Sequence, residues 1–402
     1  MKLAAAGRHF EAIECFERAL SAAPSDIKVL FALGNTARDL GEPAMARQFY
    51  FRVLALEPHR LEAVINLANL LRREGQFAAA RTLLMPALAR NPQSPELHLT
   101  MGSAWQEDDD RERAALHYRE ALKENPCYAP ALSNLGDLAA GAGDYEEALA
   151  LYNRALKAEP GNPQIRLNRA MLHLMNGNLR EGWRDYAART EVHGKVPAAD
   201  LPLKAWTGDS LKKTRLLVRC EQGVGDEIMF ASLFDALAAR ANKEGGSLIL
   251  ECDKRLLPLF ARSFPGAEMR AAHLKSENGK ILADYGWLKS AGGANAVTLA
   301  GALPRYFAKS LADFPSPHVY LKPDSGEACH WRSFFAGLGA APAIGICWRS
   351  GKTGGMRAKG YAPLEAWADF LKRLPGVLVS AQYDARPEEI AELEALSGRS
   401  IF

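Results

Sequence analysis

Residues 126–160 read PCYAPALSNLGDLAAGAGDYEEALALYNRALKAEP, and this stretch decides the architecture of the N-terminal half. Apolar residues recur at helical spacing in two runs, which are separated by Gly143 and bounded by prolines 34 residues apart. The interval extends beyond this stretch. Pro24, Pro58, Pro92, Pro126 and Pro160 keep it, as do Gly41, Gly75, Gly143 and Gly177, with Asp109 in the remaining slot. Ala12, Ala46, Ala80, Ala114 and Ala148 hold a small-residue position. Tyr50, Tyr118, Tyr152 and Tyr186 hold a bulky one, with Phe16 and Leu84 as variants. The small residue lets two helices approach, and the bulky one fills the groove to the next hairpin. Such a period predicts stacked helical hairpins, an all-α superhelix (α-solenoid) over residues 1–190. Its first unit, Gly7 to Ala23, is only a second helix, so the set is expected to begin mid-repeat.

These positions resemble the tetratricopeptide repeat. Two further positions bear on binding: Asn66, Asn134 and Asn168, with Thr100 between, occupy one, and Asn35, Asn69 and Asp137 another on the same helix face. A ladder of amides can hydrogen-bond an extended peptide backbone without reading its sequence. The arrangement is similar to O-linked N-acetylglucosamine transferase, which joins such repeats to a sugar-transferring domain. The resemblance implies a protein or peptide partner held by Asn35, Asn66, Asn69, Asn134 and Asn168. Asn at these positions equally supports local polar contacts between repeats, and both readings stand at this point.

Composition narrows the rest. At 402 residues the chain suggests two or three domains. Fifty Lys plus Arg against 47 Asp plus Glu leave a net charge of +3, too little for a concentrated phosphate-backbone surface, so no nucleic-acid partner is expected. No apolar run reaches the length of a membrane span. The six cysteines are scattered and the nine histidines form no ligand motif, so a reducing, cytoplasmic setting without a metal or other cofactor is the expectation.

After Thr190 the helical period disappears, and residues 191–213 read as a linker with a turn at Thr207-Gly208-Asp209. From Thr214 strands alternate with helices: TRLLVRC, a glycine turn, a helix over IMFASLFDALAAR, then SLILEC and a helix over KRLLPLFARSF. That alternation predicts a parallel sheet covered by helices. The turn, Glu221-Gln222-Gly223-Val224-Gly225-Asp226-Glu227, places two glycines after a strand, where positive φ and close ligand approach are expected. The following helix presents free N–H groups to an anion. Asp226 suits two roles, a cap on the first helical turn or a carboxylate at the sheet's C-terminal edge that takes a proton from an attacking hydroxyl. A nicotinamide site ranks last, because GxGxxG is incomplete and Glu251 comes late for a ribose ligand.

EQGVGDEIMFASLF, together with Trp206 to Leu211, DFPSPHVYLKPD and AIGICWRSGKTGG, resembles bacterial tetratricopeptide-repeat glycosyltransferases related to the heptosyltransferases of glycosyltransferase family 9. The resemblance implies two Rossmann-like lobes of GT-B type, a first lobe over 214–341 and a second beginning in 342–402. It implies that Asp226 is the base for the acceptor hydroxyl, with Gln222, Gly223 and Gly225 holding the acceptor. It places the nucleotide-sugar donor on Arg349, Ser350, Lys352 and Lys359, with Gln382 at the end of the next strand. The second lobe reads as truncated, since only two strand–helix units precede a third strand beginning at Arg399. The expected function is inverting sugar transfer without a metal, the solenoid recruiting a protein acceptor and its uncapped end offering a surface for a second copy. The competing expectation is a non-catalytic scaffold with a degenerate transferase-like domain.

Overall fold

The computed structural model describes residues 7–192, 201–221, 223–277, 280–289, 292–314, 319–350 and 360–402. The repeat region begins with α1 (His9–Ala22) and continues as hairpins: α2 (Ile27–Leu40) with α3 (Pro43–Leu56), α4 (Leu61–Arg73) with α5 (Phe77–Arg90), and α6 (Pro95–Glu107) with α7 (Arg111–Glu124). Then come α8 (Ala129–Gly141) with α9 (Tyr145–Ala158) and α10 (Pro163–Met175) with α11 (Leu179–Tyr186). Each hairpin turns on a left-handed residue, Gly41, Gly75, Asp109, Gly143 and Gly177, with φ between 66° and 84°. Asp109 shows that the slot needs positive φ rather than glycine as such, a conformation Asp tolerates better than most residues. Side chains of Asp26, Ser94, Asp110, Asp144 and Asn162 cap the helices that follow them.

The repeat's inner contact is a matched pair. Tyr50, Tyr118 and Tyr152 are buried, and each ring lies against a glycine of the preceding helix. A Cβ on Gly34, Gly102 or Gly136 falls 2.6, 2.6 or 2.8 Å from the ring. In the one register where the aromatic is absent, Leu84, the facing residue is Ala68, and both belong to one core cluster. There the extra methyl of Ala68 goes with the smaller side chain of Leu84. A second inter-helix contact joins His98 and His117, whose Nδ1 atoms are 3.1 Å apart. His98 Nε2 lies 2.9 Å from the Pro92 carbonyl and donates to it, so in the neutral ring His98 Nδ1 accepts from His117.

The α/β region contains β1 (Lys204–Ala205), β2 (Arg215–Arg219), β3 (Ser247–Cys252), β4 (Glu268–Ala271) and β7 (Ala296–Leu299) in one sheet, ordered β1-β7-β2-β3-β4. Every pairing is parallel. Strand order reverses at β2, since β3 and β4 build one side and β7 the other. A separate antiparallel hairpin is formed by β5 (Leu274–Glu277) and β6 (Lys280–Ala283). The single helix expected over residues 228–240 is two, α12 (Val224–Ala231) and α13 (Phe234–Glu244). The break falls at Ser232, whose hydroxyl donates to the Met229 carbonyl at 2.6 Å and competes with the helical ladder.

The chain divides into two compact units, Met1–Lys254 with Ala267–His318, and Arg255–Gly266 with Val319–Phe402. The second holds α14 (Leu257–Ser263), α16 (Ser325–Gly337), the parallel strands β8 (Ala343–Ile346) and β9 (Val377–Ser380), α17 (Leu364–Arg373) and α18 (Pro387–Ser397). The first also contains the short α15 (Pro304–Phe307). In the second unit Ile346, Trp348, Leu371, Leu378, Leu393 and Ile401 form the core. The third strand expected at Arg399 is a single bridge, Ile401 to Leu378.

Candidate functional site

In open parallel sheets, ligands sit beyond the C-terminal strand ends where strand order reverses. Here that place lies between the ends of β2 and β7, and the loop after β2 carries Gly223, Gly225 and Asp226. The expectation of positive φ at the two glycines is corrected by the structure. Gly223 is extended, with φ −111°, and Gly225 lies in the first turn of α12. A Cβ at Gly225 meets nothing within 4 Å among the described residues, and one at Gly223 meets only the Asp226 carboxylate, at 3.8 Å. Among the described residues neither positive φ nor packing requires glycine at these positions. What the missing side chains leave is exposed backbone beyond the end of β2.

Asp226, half-buried, accepts from the Gly223 N–H through Oδ2 at 3.2 Å. Glycine has no side chain to return the bond, so only one half of a capping box forms. Gln222 lies outside the described residues.

Beneath this loop is a group of ionisable side chains that the sequence reading missed. Glu227 is 6% exposed and accepts from the Asp253 N–H at 2.7 Å; burial raises its pKa to about 7. Cys220 donates to Glu251 at 3.2 Å, and burial together with that carboxylate pushes the thiol far up. Tyr285, bonded to Arg219 at 2.7 Å, is likewise raised by burial and by Glu251. Glu227 follows Asp226 directly and Glu251 ends the second strand, so both were visible as letters. Their convergence depends on strand register, which a single sequence does not fix.

Glu221, the first residue of the loop, is also buried. Its carboxylate accepts two bonds from Arg189, at 2.6 and 2.9 Å, and one from the Gly301 N–H at 2.7 Å. Arg189 belongs to the short 3-10 turn Ala187–Thr190 that ends the solenoid. The last repeat is therefore bonded to the loop that begins the candidate site.

The five asparagines of the ladder lie on one side of the repeats, and most are engaged there. Asn35 Oδ1 accepts from Tyr50 and from Asn66 Nδ2. Ser103 and Asp137 hold the equivalent place, each accepting from a tyrosine (Tyr118, Tyr152) and from an amide of the next repeat (Asn134, Asn168). Where Leu84 removes the phenol, Thr100 removes the amide, and Asn69 instead accepts from Arg72 at 2.6 Å. Arg38, Asp39, Asn66, Asn69, Arg72 and Glu107 line a concavity of about 550 Å³.

In the second unit Arg349 donates to Glu389 at 2.8 and 2.7 Å and to Asp384 at 2.9 Å. The guanidinium pulls the Glu389 pKa down to about 2. Gln382, buried, accepts from the Trp348 and Arg349 N–H groups and fixes the chain after β8. Ser350 and Tyr361 share a 2.8 Å hydroxyl–hydroxyl bond. Lys352 and Lys359 lie outside the described residues. Among the described residues no three His, Cys, Asp or Glu side chains converge to hold a metal ion, and no helix is long and apolar enough to cross a membrane.

Tetratricopeptide-repeat family models match residues 2–59 and 133–189, and residues 37–103. The N-terminal part is a tetratricopeptide-repeat superhelix. Protein FlbA of Caulobacter vibrioides is 29% identical over 248 residues, which are 60% of this chain and 41% of that protein, so the chain spans about two fifths of that relative's length. Among solved structures, a thermophilic repeat protein of Thermus thermophilus is 26% identical, with 42% of this chain and 91% of that one covered at a TM-score of 0.38. MamA of Desulfovibrio magneticus RS-1 is 19% identical over 40% of this chain and 91% of its own, at 0.36. Yeast Tom70 is 21% identical over 44% and 39%, at 0.39. Superhelices of this kind present extended surfaces to other proteins, which makes the first half a protein-interaction element.

Proposed function

We propose that the superhelix recruits a protein acceptor for sugar transfer from a nucleotide sugar, with Asp226 as the base. The observation that carries this reading is the pair of glycines, Gly223 and Gly225, at a strand-order reversal. Glycine costs about 1 kcal/mol inside a helix, where Gly225 lies, and among the described residues packing calls for neither glycine. Open backbone beside a carboxylate suits an acceptor hydroxyl. In the proposed step the acceptor oxygen attacks the anomeric carbon, its proton passes to the Asp226 carboxylate, and the bond from that carbon to the diphosphate oxygen breaks. The Gly223 N–H orients the carboxylate through Oδ2. The leaving nucleoside diphosphate takes up the negative charge, and Ser350, Lys352 and Lys359 are the residues proposed to bind it. Arg349 and Gln382 act there as positioning residues, since their polar atoms already hold Glu389, Asp384 and the loop backbone. No metal or other cofactor is called for.

The test uses the full chain with a panel of labelled nucleotide sugars and extracted proteins as acceptors. Asp226→Asn is expected to abolish transfer. Gly225→Ala is expected to raise stability by a few tenths to about 1 kcal/mol while lowering transfer at least tenfold. Retained turnover in Asp226→Asn refutes the base assignment. The engaged asparagines and Arg349, held by Glu389 and Asp384, favour a second reading, a protein-binding scaffold without catalysis. That reading is supported if no nucleoside diphosphate raises the melting temperature while a protein partner does.

A further inference from the structure

The chain's ion pairs follow a pattern, and one cavity departs from it. In the concavity on the repeats, Arg38 meets Asp39, and Arg72 meets Glu107. A second cavity in the same compact unit, about 410 Å³, is lined by Arg180, Arg184, Arg305, Tyr306 and Lys309, with no carboxylate lining it among the described residues. Arg180 and Arg184 are one helical turn apart on α11, Arg305 comes from α15 packed against it, and Lys309 follows that helix. Like charges one turn apart destabilise a helix.

Neighbouring acids offset the cluster only in part. Asp185 lies 3.8 Å from Arg184, but it is buried and held by Arg169 at 2.6 and 2.7 Å. Asp313 accepts the backbone N–H groups of Lys309 and Ser310. Four cations are thus gathered in a chain whose net charge is only +3. The floor is rigid: Tyr306 packs 4.8 Å from Trp206 and occupies the space a side chain on Gly208 would need, at φ 93°.

We infer that this cavity binds a compact ligand carrying two or more phosphate groups. Three of the four cations are arginines, whose planar forks pair with phosphate oxygens in bidentate fashion. The cavity exceeds a single phosphate, and its charge matches a polyphosphate rather than a monoanion. This inference is independent of the sugar-transfer reading, because no residue of the proposed catalytic loop takes part.

The test is calorimetric titration of the full chain with inorganic tripolyphosphate and, separately, with ATP. One molecule is expected to bind, and raising the salt from about 0.05 to 0.5 M should weaken binding on the order of tenfold as screening shortens. Arg180→Gln with Arg305→Gln should weaken it at least tenfold without lowering the melting temperature of the free protein. Arg332→Gln, in the second unit, should leave it unchanged. Tighter binding of ATP than of tripolyphosphate means that the nucleoside is also read; equal binding means that the phosphates suffice. The inference is overturned if neither ligand binds, or if the double variant binds both as well as the parent does.

Discussion

The Gly102–Tyr118 contact gives a prediction whose sign depends on its partner. A methyl added at Gly102 stands 2.6 Å from Tyr118 Cε1 and 2.8 Å from Cδ1. The ring is fully buried, and its hydroxyl is held by Gln106 at 2.7 Å and Ser103 at 3.3 Å, so it cannot swing clear without breaking both bonds. Overpacking of this kind costs about 1–3 kcal/mol. Alanine regains about 1 kcal/mol of helix propensity over glycine, so Gly102→Ala should destabilise by about 1 kcal/mol net. In a Tyr118→Leu background the chain copies its own Ala68–Leu84 pair, and the same methyl, which still meets the Ala114 carbonyl at 3.1 Å, should stabilise by up to about 1 kcal/mol. The coupling energy is then up to about 2 kcal/mol, typical of residues in direct contact. Urea denaturation of the parent, both single variants and the double variant, followed by helical circular dichroism, measures it. Hydrogen exchange in α6 and α7 localises the change. If Gly102→Ala stabilises equally in both backgrounds, the matched-pair argument fails.

Three further outcomes follow from buried charge and burial-shifted groups. Arg189→Met leaves the Glu221 carboxylate buried without its counterion and should cost about 3–5 kcal/mol, whereas adding Glu221→Gln, which still accepts from Gly301, should recover more than half; denaturant midpoints decide. Glu227 holds its proton more tightly folded than unfolded, so stability falls as pH rises from about 4.5 through about 7, by on the order of 3 kcal/mol, and Glu227→Gln should flatten that slope in melts across the range. Burial and the facing His98 lower the His117 pKa, so the unfolded chain takes up protons first and stability is lost as pH falls below about 6.5; His117→Gln should reduce the loss seen between about pH 7.5 and 5.5.

The repeat half was legible because its signals are periodic and local. Pro, Gly and Ala each recur in phase, and the turn at Asp109 was readable from its slot alone. The glycines facing the tyrosines were not read, since Gly34, Ala68, Gly102 and Gly136 gain meaning only when paired with residues 16 positions later. In the α/β region strands and helices were legible from composition. The role of glycine after β2 was not: the fold does without positive φ at Gly223 and Gly225, and only built geometry distinguishes a turn's need from an open surface. Arg189 gave no sign, because a charged residue beside a linker looks solvated until its partner, 32 positions on, is brought beneath it.

Composition invites a cut at residues 191–213, and the Arg189–Glu221 bond argues against making it there. A fragment starting at Leu201 would carry an interior glutamate whose counterion stayed with the discarded piece, and a repeat fragment ending at Thr190 would expose an arginine shaped for a partner no longer present. The seam drawn by sequence texture and the seam drawn by energy lie in different places. Any exchange of this superhelix onto another sheet, by recombination or by a protein engineer, must carry both residues of the clasp or neither.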